Sequence, residues 1–418
     1  MDLRNTRVVI SSREFQKKDL ILWIGIYNGS SYLDSLLNQL TSQTVNDFDL
    51  LVVDNGSTDD SWEHLQDWLT VFKGRITLVK NPINLGFIGS MQLNEDLINS
   101  DWVLQIHQDD YYFKNHVEVH LDHIRNARHE VVAVSTDMAS MRNDGRHLPS
   151  LPRASWFPSG KDLPSQFLQN LVALSIPWPS TSFRTKELFE SFVPWHNFAF
   201  MDVEITLRIL TRGKVTHVKK QTMKYRENPV SASHSINDHE RRFGAAIGLT
   251  RIVSSNEFLI VAREVHPSDR DKFADAIKRG IEIRLGKTVL VDFIHLMALE
   301  TMAFAWKYEN NTPIEKIYSD YKKINSTSVV KLLDGIIVKN GGYSDESKKE
   351  SSTFEFFETS EEVANGVSKH KIGKILKSIT YRALIEPLPY PLKRFVIERA
   401  LSLGVKFGMK HRWNFTWR

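Results

Sequence analysis

Two apolar runs that stop at carboxylates constrain this chain more than any other feature. The run Leu50–Val53 is followed by Asp54, and the run Trp102–Ile106 is followed shortly by Asp109 and Asp110. Unbroken apolar runs of this length predict strands buried on both faces, as in a parallel sheet. Ligands of open parallel sheets bind beyond the carboxyl ends of the strands, so we expect these acids to line a binding cleft.

Strand and helix patterns alternate over roughly the first half of the chain. Apolar residues at helical spacing predict helices at Ser30–Leu40, from about Asp59 to Leu69 and at Asp202–Leu210, and a further helix is expected between Gly86 and about Ile98. Ser57 or Thr58 can cap the helix that starts near Asp59. Strands are expected at Leu20–Tyr27, Phe48–Val53, Ile76–Val79, Trp102–Ile106, Val131–Ser135 and Val215–Val218. This alternation predicts an α/β fold with a doubly wound, mainly parallel sheet. Residues 140–175 are rich in Gly and Pro and predict a long excursion over the ligand-binding edge.

The pattern changes near residue 240, from alternating elements to helical runs alone. These runs are Arg241–Ala262, Pro267–Leu285, Thr288–Tyr308 and Ile314–Leu333. We therefore divide the chain into a sheet domain at 1–238, a mostly helical C-terminal domain at 239–343, an acidic linker at 344–366 and a basic, amphipathic helical tail at 367–418.

Composition excludes several classes of protein. The 418 residues contain no Cys, which excludes disulfides, thiolate nucleophiles and Cys-ligated zinc and fits a reducing compartment. No apolar run of signal-peptide length lies near the N-terminus. The longest apolar stretch, Val289–Trp306, contains Asp292, His295 and Glu300, which favours a core helix over a membrane span. We expect a cytoplasmic protein.

Several short motifs occur in an order and spacing that resemble the inverting glycosyltransferases of family 2, which have the GT-A fold. The matching segments are Tyr27-Asn28-Gly29, Tyr32-Leu33, Gln43-Thr44, Val53–Asp59, Asn84-Leu85-Gly86, Gln108-Asp109-Asp110, Asp202–Gly213 and Tyr225-Arg226. The resemblance covers about residues 18–235. It implies transfer of a sugar from a nucleoside-diphosphate sugar to a saccharide or lipid-linked glycan acceptor, by analogy in cell-surface polysaccharide assembly.

The acidic pair after the fourth sheet strand suits a divalent cation. Mg²⁺ or Mn²⁺ bound by one or two carboxylates and phosphate oxygens offsets the charge of a departing diphosphate. The resemblance implies that Asp110 is a metal ligand and that Asp109 contacts the ribose, the metal or a metal-bound water. His234 is a further candidate ligand. The chain departs from the family at His107, where an acid is usual.

The resemblance assigns further residues to the nucleotide. Asp54 would accept a hydrogen bond from a ring N–H of the nucleobase, and Tyr27 would stack on the nucleobase. Asn28 and the following Gly29 would allow the backbone to approach the nucleotide closely. The resemblance also implies that Arg226 binds the diphosphate. Asn84 and Gly86 would shape the neighbouring loop. Uracil, thymine and guanine all carry a suitable N–H, so the sequence does not identify the nucleobase.

The general base that inversion requires is assigned to Asp202. An acid at a helix N-terminus is held near the sheet edge, and the helix dipole favours its ionised form. The resemblance places Asp202 on the residue that serves as base, with Glu204 as the alternative. Met201 replaces the preceding acid of the family motif.

Other functions remain open on the sequence. A non-catalytic protein that binds nucleotide sugars or glycans could share this fold. Such a protein is expected to lack the metal carboxylate or the base, whereas Asp109, Asp110 and Asp202 are all present. A sugar nucleotidyltransferase would usually carry a Gly-rich, basic loop after the first strand, and a dehydrogenase would carry G-x-G-x-x-G there. The chain has Tyr27-Asn28-Gly29-Ser30-Ser31 instead.

The basic tail needs a separate explanation. Residues 367–418 hold twelve Lys and Arg against two Glu, while the whole chain carries only +4, so the remainder is net acidic. No nucleic-acid recognition motif accompanies the tail, which argues against nucleic-acid binding. Apolar residues at helical spacing flanked by Lys favour attachment to an anionic membrane surface. We expect peripheral binding at the inner face of the cell membrane.

Overall fold

A computed structural model of the chain describes residues 3–12, 17–142, 144–148, 162–172, 176–192, 200–227, 238–286, 289–308 and 312–324. His234, the predicted linker 344–366 and the predicted tail 367–418 lie outside the described residues. The division at 238/239 stays a prediction.

Within the described residues, ten strands form one mixed sheet of order β1-β4-β3-β2-β5-β9-β7-β10-β6, with β8 paired to β7. The strands are β1 (Val8–Ser11), β2 (Leu20–Ile26), β3 (Asp49–Asp54), β4 (Ile76–Lys80), β5 (Trp102–His107), β6 (Tyr111–Tyr112), β7 (Val131–Arg142), β8 (His147–Leu148), β9 (Thr181–Arg184) and β10 (Lys214–Glu227). Strands β4, β3, β2 and β5 run parallel, as does β10 beside β7. Strand β9 is antiparallel between β5 and β7. The predicted α/β fold class is confirmed.

Helices cover both faces of the sheet and continue beyond it. They are α1 (Ser30–Thr41), α2 (Ser61–Val71), α3 (Gly86–Leu93), α4 (His116–Arg125), α5 (Leu163–Val172), α6 (Thr185–Glu190), α7 (Met201–Ile209), α8 (Asp238–Val253), α9 (Asn256–Arg263), α10 (Arg270–Leu285), α11 (Val289–Ala305) and α12 (Ile314–Ile324). Successive residues of a strand face opposite sides, so Leu22 and Ile24 pack against α1, α2 and α4, while Ile21 and Trp23 pack against α3, α6 and α7.

Helix α7 belongs to two hydrophobic cores. Its residues Ile205 and Ile209 pack in the core that lies against the sheet. Its residues Val203 and Leu207 pack in a second core formed with α5 and α8–α12. The helical region is therefore built directly onto the helix that carries Asp202.

The helix predicted at 241–262 is two helices. Helix α8 ends at Val253, and Ser255 caps α9 because its side chain accepts a hydrogen bond from the amide of Phe258 at 3.2 Å. The segments Gly244–Val253 and Asn256–Arg263 meet at 61°. Within the described residues, no single helix has the length and apolar composition to cross a membrane, and only this bent pair meets those criteria when its halves are combined.

Candidate active site

The strand register brings the predicted acids to one edge of the sheet. Asp54 pairs with Ile26 at the end of β2, and His107 pairs with Gly25 on the other side of that strand. The carboxyl ends of β3, β2 and β5 therefore lie side by side, as parallel pairing requires. Asp109 and Asp110 follow His107 by two and three residues.

The loop after β2 is joined to the loop after β3 by side-chain hydrogen bonds. Asn28 has a left-handed backbone, with φ of 47°, and its Oδ1 accepts from the amide of Thr58 at 2.8 Å. Ser57 Oγ accepts from the amide of Asn28 at 3.0 Å. Beside this junction, Tyr27 is 44% exposed and so is accessible to a ligand.

Asp54 is fully buried and only partly hydrogen-bonded. Its Oδ1 accepts from the amide of Ser57 at 3.1 Å, and its Oδ2 has no hydrogen-bond partner among the described residues. Burial raises the pKa of Asp54, while the bonds from Ser57 lower it. A buried carboxylate oxygen without a donor is costly, so this position favours a ligand that brings an N–H.

A network of amides shapes the loop that holds Asn84 and Gly86. Asn55 Nδ2 donates to Asn84 Oδ1 at 2.9 Å and to the carbonyl of Gly86 at 3.1 Å. Asn55 Oδ1 accepts from Asn81 Nδ2 and from the amide of Leu85. Gly86 has φ of 67°, a conformation in which a side chain would be strained. The loops after β3 and β4 are thereby fixed together.

Arg226 lies against the acidic pair. Its amide donates to Asp110 Oδ1 at 2.8 Å, and its Nε donates to the carbonyl of Asp109 at 2.6 Å. Its guanidinium also lies over the ring of Tyr32, 5.9 Å from the centroid. The structure thus brings together the predicted metal ligands and the predicted diphosphate contact, although they are 116 residues apart along the chain.

His107 lies against Asp110, and the charge of Asp202 also acts on it. Its Nδ1 lies 3.4 Å from Asp110 Oδ2, an oxygen that has no well-aligned hydrogen-bond donor among the described residues. Burial lowers the pKa of His107, but Asp110, Asp109 and Asp202 together outweigh burial and raise it. Four titratable groups therefore share one electrostatic environment.

Asp202 lies in the first turn of α7, as predicted. Its Oδ1 accepts from the amide of Val203 at 2.8 Å. Burial raises the pKa of Asp202, while Arg284 and His107 lower it. A carboxylate with a raised pKa is a better proton acceptor near neutral pH than an exposed one.

Glu204, the alternative base, is buried in a cluster of cations. Its Oε1 lies 3.0 Å from Arg208 Nη2 and 3.4 Å from Arg251 Nε. Both arginines hold the carboxylate in place, so this geometry favours a structural role for Glu204.

The described residues fit a nucleotide-bound cation better than a cation held by protein alone. No group of three or more His, Asp or Glu among them could hold a metal ion. Mg²⁺ in nucleotide sites takes one or two carboxylates and completes its shell with phosphate and water. Asp110 Oδ2, buried and without an aligned donor, is a suitable ligand atom of this kind.

Sequence reasoning missed three residues that shape the site. Asn55 holds two loops together, Gln108 hydrogen-bonds the backbone of Tyr27, and Arg284 acts on Asp202 from α10. The Asn55 and Gln108 positions lie inside recognised motifs, and that was a usable signal. No local sequence signal indicates the role of Arg284, because it lies 82 residues from Asp202 in the chain.

Comparison with known proteins identifies the matching part of the chain. Residues 22–193 match the model for glycosyl transferase family 2. An uncharacterized glycosyltransferase of Haemophilus influenzae is 29% identical over 84 residues, which are 20% of this chain and 26% of that protein. A putative glycosyltransferase of Bacillus subtilis, EpsE, is 26% identical over 141 residues, 33% of this chain and 50% of that protein. The chain spans half or less of the length of these relatives.

Two nucleotide-sugar complexes are among the solved structures that match part of this chain. Staphylococcus aureus TarS 1–349 with UDP-GlcNAc is 15% identical, covers 69% of this chain and 90% of that chain, and gives a TM-score of 0.48. The mannosyltransferase PcManGT of Pyrobaculum calidifontis with GDP-Man and Mn²⁺ is 13% identical, covers 77% and 85%, and gives a TM-score of 0.44.

Proposed function

We propose that this chain transfers a sugar from a nucleoside-diphosphate sugar to a saccharide or lipid-linked glycan, with inversion and a divalent cation. The match of residues 22–193 to the model for glycosyl transferase family 2 supports this proposal. The observation that carries the proposal is the contact of two basic residues with the acidic pair. His107 Nδ1 lies 3.4 Å from Asp110 Oδ2, and the amide of Arg226 donates to Asp110 Oδ1 at 2.8 Å. Carboxylates suited to a cation thus lie beside basic residues at one sheet edge, and Asp202 is the carboxylate that we assign to proton abstraction.

Each residue has a distinct part in the proposed reaction. Asp202 takes the proton of the acceptor hydroxyl as that oxygen bonds to the anomeric carbon. The bond from that carbon to the diphosphate breaks, and its electron pair leaves with the diphosphate. Arg226 offers positive charge beside the acidic pair. Asp54 accepts the N–H of the base, and the exposed ring of Tyr27 stacks on it.

Asp110, with Asp109, would hold Mg²⁺ or Mn²⁺ in the nucleotide complex. The bound cation supplies charge neutralisation for the diphosphate that leaves. Asp110 Oδ2 has no aligned donor among the described residues and supports this assignment.

A donor screen tests the proposal. The protein is incubated with Mn²⁺ and UDP-, dTDP- and GDP-sugars, with and without glycan acceptors, and nucleoside diphosphate release is recorded. We expect release with one base, lost in Asp110→Asn and, for the acceptor-dependent part, in Asp202→Asn. Asp34→Asn, at an exposed position of α1, is the matched control. No release with any donor would favour the non-catalytic binding protein.

The basic sequence of the tail supports a proposed location at the cytoplasmic face of the membrane. Basic, amphipathic segments bind anionic lipid surfaces with an affinity that falls as salt rises. Co-sedimentation with vesicles of phosphatidylglycerol, compared with phosphatidylcholine alone, tests this location. Equal binding to both vesicles, or none, would refute it.

A further inference from the structure

Phe200, immediately before α7, has a strained backbone that the helical region holds in place. Its φ is 92°, a value that is rare for a bulky residue and costs free energy. The ring lies against Gly248 of α8, where an added Cβ would come within 2.6 Å of Phe200 Cδ1. Gly248 therefore leaves the space that this ring occupies.

Arg284, in the last turn of α10, covers the same ring. Its guanidinium carbon lies 5.5 Å from the ring centroid of Phe200, within cation–π range. Its Nε donates to the carbonyl of Leu171 at 2.8 Å, and its Nη2 donates to that of Asn170 at 3.4 Å. Both carbonyls belong to the last turn of α5, where helical partners are lacking. Arg284 therefore joins α10 to α5 and to the residue that begins α7.

The charges of Arg284 and Asp202 act on each other. Burial lowers the pKa of Arg284 to about 10, and the charge of Asp202 opposes that effect. The reciprocal effect lowers the pKa of Asp202, on which His107 is the other charged neighbour that acts. A partly buried guanidinium and a partly buried carboxylate thus stabilise each other's charge without direct contact.

We propose that Arg284 is a positioning residue for Asp202: it fixes Phe200 at the start of α7 and maintains a positive charge beside the carboxylate, so that the helical region takes part in proton abstraction. This inference rests on the proposed role of Asp202 as base. It assigns the region that begins at α8 a part in the reaction in addition to its part in folding.

The competing explanation is that Arg284 only caps the carbonyls of α5. The variants Arg284→Lys and Arg284→Gln separate the two roles, because Lys keeps the charge and Gln does not. Arg279→Gln, at an exposed position on the same helix, is the matched control. His107 is unchanged in every variant, so differences between pH profiles report the substituted residue.

The first readout is kcat against pH. For Arg284→Gln we expect kcat to fall roughly tenfold at pH 6 and to recover partly above pH 8, because more of Asp202 is protonated at low pH. The KM for the donor should stay within about twofold, as expected when the lost interaction acts on chemistry rather than on donor binding. Arg284→Lys should keep the wild-type acid limb. Equal losses at all pH values, or equal losses in both variants, would overturn the proposal.

The second readout does not depend on catalysis. Urea unfolding at pH 7.5 of Arg284→Gln, Asp202→Asn and the double variant forms a double-mutant cycle. We expect Arg284→Gln to lower the urea midpoint clearly less in the Asp202→Asn background than in the wild type. Additive effects would refute the pairing even if the chain transfers sugar. A chain that shows coupling but releases no nucleotide would refute the proposed function and leave the pairing intact.

Discussion

Gln108 hydrogen-bonds both polar groups of the Tyr27 backbone. Its Oε1 accepts from the amide of Tyr27 at 3.0 Å, and its Nε2 donates to the carbonyl of Tyr27 at 3.2 Å. A side chain at Gly29 would clash with this amide group. These two bonds extend the pairing of β2 with β5 beyond Gly25 and His107, the last paired residues. They also orient Tyr27, the exposed residue that we assign to the nucleobase.

The Gln108→Ala variant should therefore bind nucleotide more weakly. Loss of two backbone contacts removes the support of Tyr27, at a cost of about 1 kcal/mol per bond. Two bonds correspond to about 2 kcal/mol, so we expect the Kd to rise roughly thirtyfold. Calorimetric titration with the nucleoside diphosphate chosen by the donor screen measures it. The exposed helical variant Gln66→Ala serves as control, and an unchanged Kd in Gln108→Ala would remove this role from Gln108.

The amide network around Asn55 should dominate the stability of the two loops. Asn55→Ala removes the oxygen that accepts from Asn81 Nδ2 and from the amide of Leu85, and the nitrogen that donates to Asn84 Oδ1. This loss should lower the free energy of unfolding by roughly 2–4 kcal/mol. Urea denaturation checks this value. Asn38→Ala, at an exposed position of α1, should change it by less than about 0.5 kcal/mol.

Asp110→Asn should separate activity from stability. Burial raises the pKa of Asp110, so its ionised form is unfavourable in the folded chain at neutral pH. Asparagine keeps the acceptor for the amide of Arg226 and removes the charge. We expect Mn²⁺-dependent nucleotide release to be lost while the Tm is unchanged or higher. A clear drop in Tm would indicate that Asp110 is mainly structural.

Chelation should reveal the cation in the same assay. With EDTA in excess, we expect nucleotide release to fall to background and to return when Mn²⁺ or Mg²⁺ is restored. Asp109→Asn should need more Mn²⁺ for half-maximal release than the wild type. Full activity in EDTA would contradict a role for a divalent cation.

Two buried histidines predict a loss of stability in acid. His116 and His120 are fully buried on α4, and burial lowers the pKa of His120 from 6.5 to about 3. Between these values the unfolded chain binds a proton that the folded chain does not, so His120 should remove stability as pH falls, by about 1.4 kcal/mol per pH unit.

His120→Gln should abolish that contribution. We expect the difference in unfolding free energy between wild type and His120→Gln to be constant above pH 7 and to shrink as pH falls below it. The control is His129→Gln, since the side chain of His129 is 99% exposed. A difference that does not depend on pH would show that His120 titrates normally in the folded protein.

The parallel part of the sheet was predictable because its strands are unbroken apolar runs that end in acids or turns. Helix α4 was missed because its buried face includes His116 and His120, which hydrophobic periodicity counts as polar. The antiparallel direction of β9 was not predictable either. The direction of β9 depends on its pairing with β5 and β7. The local sequence pattern of a strand does not indicate which strands it pairs with.

The candidate site was predictable to the extent that its residues lie in local motifs. Asp54, Asp110 and Asp202 each follow a recognisable strand end or helix start. Their support was not predictable, because it comes from distant segments: the amide of Arg226 on Asp110, and the charge of Arg284 beside Asp202. Long-range contacts of this kind have no periodic signal in a single sequence.

Helix α7 packs one side on the sheet and the other on the C-terminal helices. The two halves of the chain consequently cannot be exchanged independently between relatives. A chimera that joins the sheet of one protein to the helices of another would need new packing residues on both sides of α7. A poor fit on either side would displace Asp202.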